Sequence, residues 1–248
     1  MTILFYGDPH GHWKPLFDAV AEERPDAVVL LGDMDLDEPL DAKLAPLIDA
    51  GIDVRWIHGN HDSEGPTATA RHDRLFHAGG GLDEVNLTGR IEAVGGLRVA
   101  GLGGIFRGKV WNPKGTAPGD RLAPAAETRA AYVETITKPS RWRGGVPLKH
   151  RTTIFPEDID AVRAATAVIG GADVLVAHEA PSSHAKGFQV IDEVAREIGA
   201  RLVVHGHHHV AYEDELDDGI RVRGLARAEP WRLGSHDEIA AVGRDMPA

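Results

Sequence analysis

The sequence predicts an α/β fold, and three observations carry the prediction. Short apolar, β-branched runs recur at residues 2–6, 27–31, 54–57, 97–102, 174–177 and 202–204. Amphipathic stretches of helical length lie between several of them, at 13–23, 39–50, 157–170 and 190–198. Most of the apolar runs stop at Gly, Asp or His, as buried strands do when they emerge into turns. Alternation of this kind indicates βαβ units and a largely parallel sheet covered by helices.

Taken in chain order, the 2–6 run (Thr2-Ile3-Leu4-Phe5-Tyr6) has no charge and meets Asp8 after one glycine. A helix over 13–23 and a strand over 27–31 follow, then a helix over 39–50 and strands over 54–57 and 97–102. Residues 107–153 break the rhythm. They are rich in Gly, Pro, Arg and Trp (Trp111, Trp142), with one helix expected around 123–135, and they read as an insertion or flap and not as a second domain. The helix over 157–170 opens with Pro156-Glu157-Asp158, which sets acidic groups in its first turn, where the macrodipole favours them. The strand over 174–177, the helix over 190–198 and the strand over 202–204 complete the pattern. The tail from Ala226 onward is polar and weakly patterned, and is expected to be peripheral.

Composition narrows the chemistry. A chain of 248 residues, 42% apolar and 26% charged, suits one globular domain spanning 1–248. It contains no cysteine, so disulfides, thiolate metal sites and cysteine nucleophiles are excluded. The absence of an apolar leader and of any run of the ~18 apolar residues needed to span a membrane leads to the expectation of a cytoplasmic protein without a membrane partner. The net charge of −11 disfavours a general nucleic-acid coat. The charge is uneven, however. Between residues 105 and 156 ten basic residues face three acidic ones, a distribution suited to attracting an anionic substrate.

The polar clusters all follow strand-like runs: Asp8-Pro9-His10 the first, Gly32-Asp33 the second, Gly59-Asn60-His61-Asp62 the third, His178 the run at 174–177, and Gly206-His207-His208-His209 the last. In an open α/β sheet the carboxyl ends of the strands converge on one crevice, so residues two hundred positions apart can meet. Two aspartates, four histidines and an asparagine form a donor set suited to divalent transition metals such as Mn, Fe, Zn or Ni. The Asp-x-His and His-x-His spacings are expected to put two ligands on one side of an extended segment.

These five motifs, in this order, resemble those of the calcineurin-like metallophosphoesterase superfamily: D-x-H, G-D, G-N-H-[DE], H and G-H-x-H. The resemblance implies an α/β/β/α sandwich with a binuclear metal site at the C-terminal ends of the strands. It also implies roles. Asp8, His10 and His209 would hold one ion, Asn60, His178 and His207 the other, and Asp33 would bridge them, with manganese the first choice. A hydroxide bridging the two ions would attack phosphorus, His61 would act as general acid, and Asp62 would orient and polarise His61. The arginine that follows Gly-Asp in the Ser/Thr phosphatase branch is missing from Gly32-Asp33-Met34-Asp35-Leu36, which makes Arg107 the candidate phosphate grip. The expected activity is hydrolysis of a phosphomonoester borne by a small molecule, a nucleotide or a protein. A phosphodiesterase acting on cyclic nucleotides or nucleic-acid ends is the alternative, and a non-catalytic metal-binding scaffold the alternative of another class.

Overall fold

The structure, a computed structural model, describes residues 1–77, 84–115, 119–234 and 236–242, so residues 116–118 of the expected insertion lie outside it. Its strands are β1 (Ile3–Gly7), β2 (Ala27–Leu30), β3 (Asp53–Trp56), β4 (Ile91–Val94), β5 (Leu97–Leu102), β6 (Val174–Ala177), β7 (Leu202–His205), β8 (Tyr212–Glu215), β9 (Arg221–Gly224) and β10 (Glu229–Leu233). Its helices are α1 (Lys14–Glu23), α2 (Leu40–Asp49), α3 (Ala68–Phe76), α4 (Arg129–Thr135), α5 (Pro156–Ile169), α6 (Gln189–Ile198) and α7 (His236–Val242).

The strands form two sheets. One has the order β10-β1-β2-β3, with β1, β2 and β3 parallel and β10 antiparallel to β1. The other has the order β4-β5-β6-β7-β9-β8, parallel from β5 to β9, with antiparallel strands at both edges. Side chains alternate across each strand, and the inner strands β1, β2, β6 and β7 are buried on both faces. From β1, Ile3 and Phe5 enter a core shared with Val99, Val174, Val176 and Val204 of the other sheet. Leu4 and Tyr6 point the other way, onto Leu16 of α1, Leu40 and Leu44 of α2, and Leu75 of α3. On the far side of the second sheet, Leu175 and Val203 pack against Ile159 and Val162 of α5 and Ile191, Val194 and Ile198 of α6. The result is an α/β/β/α sandwich, and burial on both faces is why the strands read as unbroken apolar runs.

The tail from Ala226 is not peripheral over its described residues, 226–234 and 236–242; residue 235 and residues 243–248 lie outside them. β10 pairs along the whole of β1, from Ile3 opposite Leu233 to Gly7 opposite Glu229, and Val242 of α7 joins the core between the sheets. Its pattern was weak because an edge strand with one apolar side needs only alternate residues such as Trp231 and Leu233. The helix expected around 123–135 begins only at Arg129, where Thr128 caps it by accepting the Ala131 N–H at 3.1 Å.

The 107–153 segment forms a small cluster of its own from Val110, Tyr132 and Val146 with Phe155. It is tied down by Arg129, which donates to Glu157, to both oxygens of Asp158 and to the Thr153 carbonyl. Several of its cations are therefore already paired, with Arg107 on Glu64, Arg129 on Asp158 and Arg143 on Asp73. Among the described residues no helix is long and apolar enough to cross a membrane.

Candidate metal centre

The carboxyl ends of β1, β2, β3, β6 and β7 deliver the predicted residues to one place, but not by strand alternation. Asp8 (φ 42°), His10 (φ 43°), Asp33 (φ 56°), His207 (φ 71°) and His209 (φ 55°) all have left-handed backbones. Each donor pair sits on a tight turn and not on an extended segment, so the period-two argument fails for both Asp8/His10 and His207/His209. Asp and His tolerate this region better than branched residues, and each such residue still costs on the order of 1 kcal/mol. Five strained residues bunched around one point mark a site that the surrounding packing holds in place.

The ligand atoms fall into two groups, each within 4.8 Å: Asp8, His10, Asp33 and His209, and Asp33, His178 and His207. Asn60 joins the second group, its Oδ1 3.2 Å from His178 Nε2. Asp33 belongs to both groups, with Oδ2 3.6 Å from His10 Nε2 and 3.4 Å from His178 Nε2. These donors fit metal ions. His10 Nε2 and His209 Nε2 are only 3.0 Å apart, and Asp35 faces the other ring nitrogen of His10 at 3.3 Å. Two imidazole lone pairs aimed at one spot repel unless a cation or a proton lies between them.

Most of the candidate donors are oriented by a second contact. His178 Nδ1 donates to the Leu31 carbonyl at 2.7 Å, which leaves Nε2 free to bind. Asp8 accepts the His207 N–H on both oxygens at 3.0 Å. Asp33 Oδ1 accepts the His61 N–H at 2.7 Å. Asn60 Nδ2 donates to Glu64 at 3.2 Å, which turns Oδ1 toward His178. Two glycines make room: a Cβ on Gly59 would lie 2.2 Å from Asp33 Oδ1, and one on Gly206 would lie 2.5 Å from Asp8 Oδ2. That steric need accounts for the glycine preceding Asn60 and for the one preceding His207.

Asp62 does not do what was expected of it. Its carboxylate accepts the backbone N–H groups of Asp33 (3.0 Å), Met34 (2.9 Å) and Gly59 (2.8 Å), so it holds two ligand-bearing turns together and is not bonded to the His61 ring among the described residues. The sequence reading also passed over Asp35, Glu64 and Glu179. Glu179 is buried beside His208, whose Nε2 lies 3.6 Å away, and it accepts the Phe106 N–H. Each lies within four residues of a candidate donor in the sequence, but no periodicity marks it, and only the fold shows which side chain it meets.

Buried like charges shape the electrostatics. Burial pushes Asp8 up to about 6. Burial would raise Asp33 too, but the His178 charge and the His61 N–H hold it below the usual carboxylate range. Burial would lower His178, but the Asp33 and Asp8 carboxylates outweigh it and push the ring up to about 10. A proton on His178 thus does in the metal-free protein what a cation does in the loaded one.

His61 is exposed at the rim, its ring centroid 5.0 Å from that of His10. Arg107 is largely buried. One guanidinium nitrogen reaches Glu64 at 3.1 Å and Thr152 Oγ1 at 3.4 Å, while Nε and Nη1 have no hydrogen-bond partner among the described residues.

Relatives share this architecture. An uncharacterized protein of Haemophilus influenzae is 41% identical over 209 residues, covering 84% of this chain and 83% of its own. The crystal structure of the Thermus thermophilus protein TT1561 superposes with a TM-score of 0.60 at 14% identity, covering 92% of this chain and 89% of that one, which is likeness of fold. Residues 1–211, from β1 through His209, match the calcineurin-like phosphoesterase family, and the chain belongs to it.

Proposed function

We propose that the protein is a binuclear-metal-dependent phosphoesterase that hydrolyses phosphomonoesters, with His61 as the general acid. The observation that carries this reading is Asp33, whose single carboxylate is shared by two convergent ligand groups. Asp8, His10 and His209 would hold one ion, Asn60, His178 and His207 the other, with Asp33 between them. Bound there, two divalent ions supply an activated water near neutral pH and clamp the phosphoryl oxygens. Manganese is the first choice, and the same donors accept Fe, Zn or Ni.

The protein's own groups then divide the work. Asp35, Glu64 and the Leu31 carbonyl keep His10, Asn60 and His178 in register for binding. Asp62 clamps the turns that carry Asp33 and Asn60. The exposed His61 imidazole gives its ring proton to the departing oxygen. Arg107, whose Nε and Nη1 are unengaged among the described residues, supports the monoester reading, because a monoester has one more charged terminal oxygen than a diester. The substrate is a phosphorylated small molecule, nucleotide or protein. A diesterase is the second reading, favoured by the Trp142–Arg143 stack on the insertion, a surface suited to a nucleobase.

The test is hydrolysis of p-nitrophenyl phosphate against bis-p-nitrophenyl phosphate with Mn²⁺, Fe²⁺, Zn²⁺ and Ni²⁺ in turn. Faster monoester turnover is expected. Faster diester turnover would favour the second reading, and no turnover with any metal would leave a metal-binding scaffold.

A further inference from the structure

An open cavity of about 500 Å³ lies beside His61 at the surface, and its walls come from two distant parts of the chain. His61, Glu64, Gly65 and Ala68 form one wall, and Leu148 and Lys149 of the 107–153 segment form the other. The walls are fastened together rather than merely adjacent. Ser63 Oγ and Thr152 Oγ1 are 2.5 Å apart in a buried hydrogen bond, and Arg107 spans Glu64 and Thr152. The cavity is therefore part of the folded structure, with a volume in the range of small-molecule sites.

Its chemistry is selective. Gly65, Ala68 and Leu148 offer an apolar wall with room beside it. Of the two residues lining it that carry full charges at neutral pH, Glu64 is already engaged by Arg107 and by Asn60. Lys149 is exposed and makes no ion pair or hydrogen bond among the described residues. The cavity thus presents one uncompensated cation at the end of an apolar wall, next to the imidazole that would protonate a leaving oxygen.

We propose that this cavity is the leaving-group subsite and that it selects phosphomonoesters whose alcohol carries an apolar body ending in an anionic group, a carboxylate or a second phosphate, paired with Lys149. The proposal rests on the phosphoesterase reading, since a group leaving phosphorus past His61 departs into this space. It also gives the insertion a definite task, which is to supply the wall and the cation that read the alcohol.

The test compares two substrates that differ only in that charge, 4-carboxyphenyl phosphate and 4-carbamoylphenyl phosphate, with wild-type protein, Lys149→Ala and Lys149→Glu. The wild type is expected to prefer the carboxylate roughly three- to tenfold, mostly through KM, as suits one partly screened ion pair. The ratio should fall to about one in Lys149→Ala and invert in Lys149→Glu. The same comparison made by calorimetric binding of 4-carboxybenzylphosphonate and its carbamoyl analogue needs no turnover. Equal binding of the two phosphonates by the wild type, or a preference unchanged in Lys149→Ala, overturns the subsite. Failure to hydrolyse either ester while the binding preference persists overturns the phosphoesterase reading and leaves the subsite standing. Substrates with a terminal phosphate in place of the carboxylate then separate the two anionic classes.

Discussion

At the scale of single residues, the two groups of ligands and their supports behave differently under substitution. His61→Ala removes a proton donor and no metal ligand, so kcat should fall on the order of 10²–10⁴-fold while elemental analysis finds the metal content unchanged. Loss of metal in that variant would overturn the role assigned to His61. Asp33→Asn or His207→Ala should abolish turnover and lower the bound metal together, because Asp33 is common to both groups. Asp62→Ala strands three buried backbone N–H groups, a cost of about 3 kcal/mol or more, read by urea denaturation; Asp62→Asn keeps part of the acceptor capacity and should fall between. The candidate donors could be picked out in the sequence because metal chemistry restricts such donors to few residue types at short spacings. Asp35 and Glu64 could not, since their partners, His10 and Arg71 for the one and Asn60 and Arg107 for the other, lie several to many positions away.

At the scale of elements, what matters is how strands end. The strands were legible from their apolar runs, whereas the geometry at their ends was not, because left-handed turns leave no hydrophobic period to read. Gly59→Ala tests this directly: the added Cβ falls against Asp33 and His178, and the expected result is weaker metal binding with little change in far-UV circular dichroism. The 107–153 segment depends on its anchor. Arg129→Ala removes charge-assisted bonds to Glu157, Asp158 and the Thr153 carbonyl, and should cost roughly 1–3 kcal/mol. The sign to look for is faster proteolytic cleavage between residues 107 and 153, with the sandwich itself intact.

At the scale of the whole molecule, stability is linked to protons and to metal. Burial pushes His58, His205 and His207 down to about 3, and His72 and His150 to about 4. Unfolded imidazoles titrate near ~6.5. Between pH ~6.5 and ~4 the unfolded chain therefore holds more protons at these sites, and acidification favours it by about 1.4 kcal/mol per pH unit for each net proton. Burial also pushes Asp8 and Asp62 up, to about 6 and about 7, which opposes this, but the imidazoles are in the majority. In chelated protein Tm should fall steadily from pH 6.5 to 4; a flat profile would contradict the burial of these rings. Adding metal at about 100 times its Kd near neutral pH should stabilise the fold by about 2.7 kcal/mol, seen as a higher Tm. The sequence by itself determined the α/β class and the family, because periodicity follows from local geometry and the five motifs stand in order along the chain. Only the tertiary structure decided that Asp62 clamps two turns, that β10 completes the first sheet, and that Lys149 faces a cavity beside His61. Each of these depends on contacts between segments far apart in the chain, and no local pattern encodes such a contact.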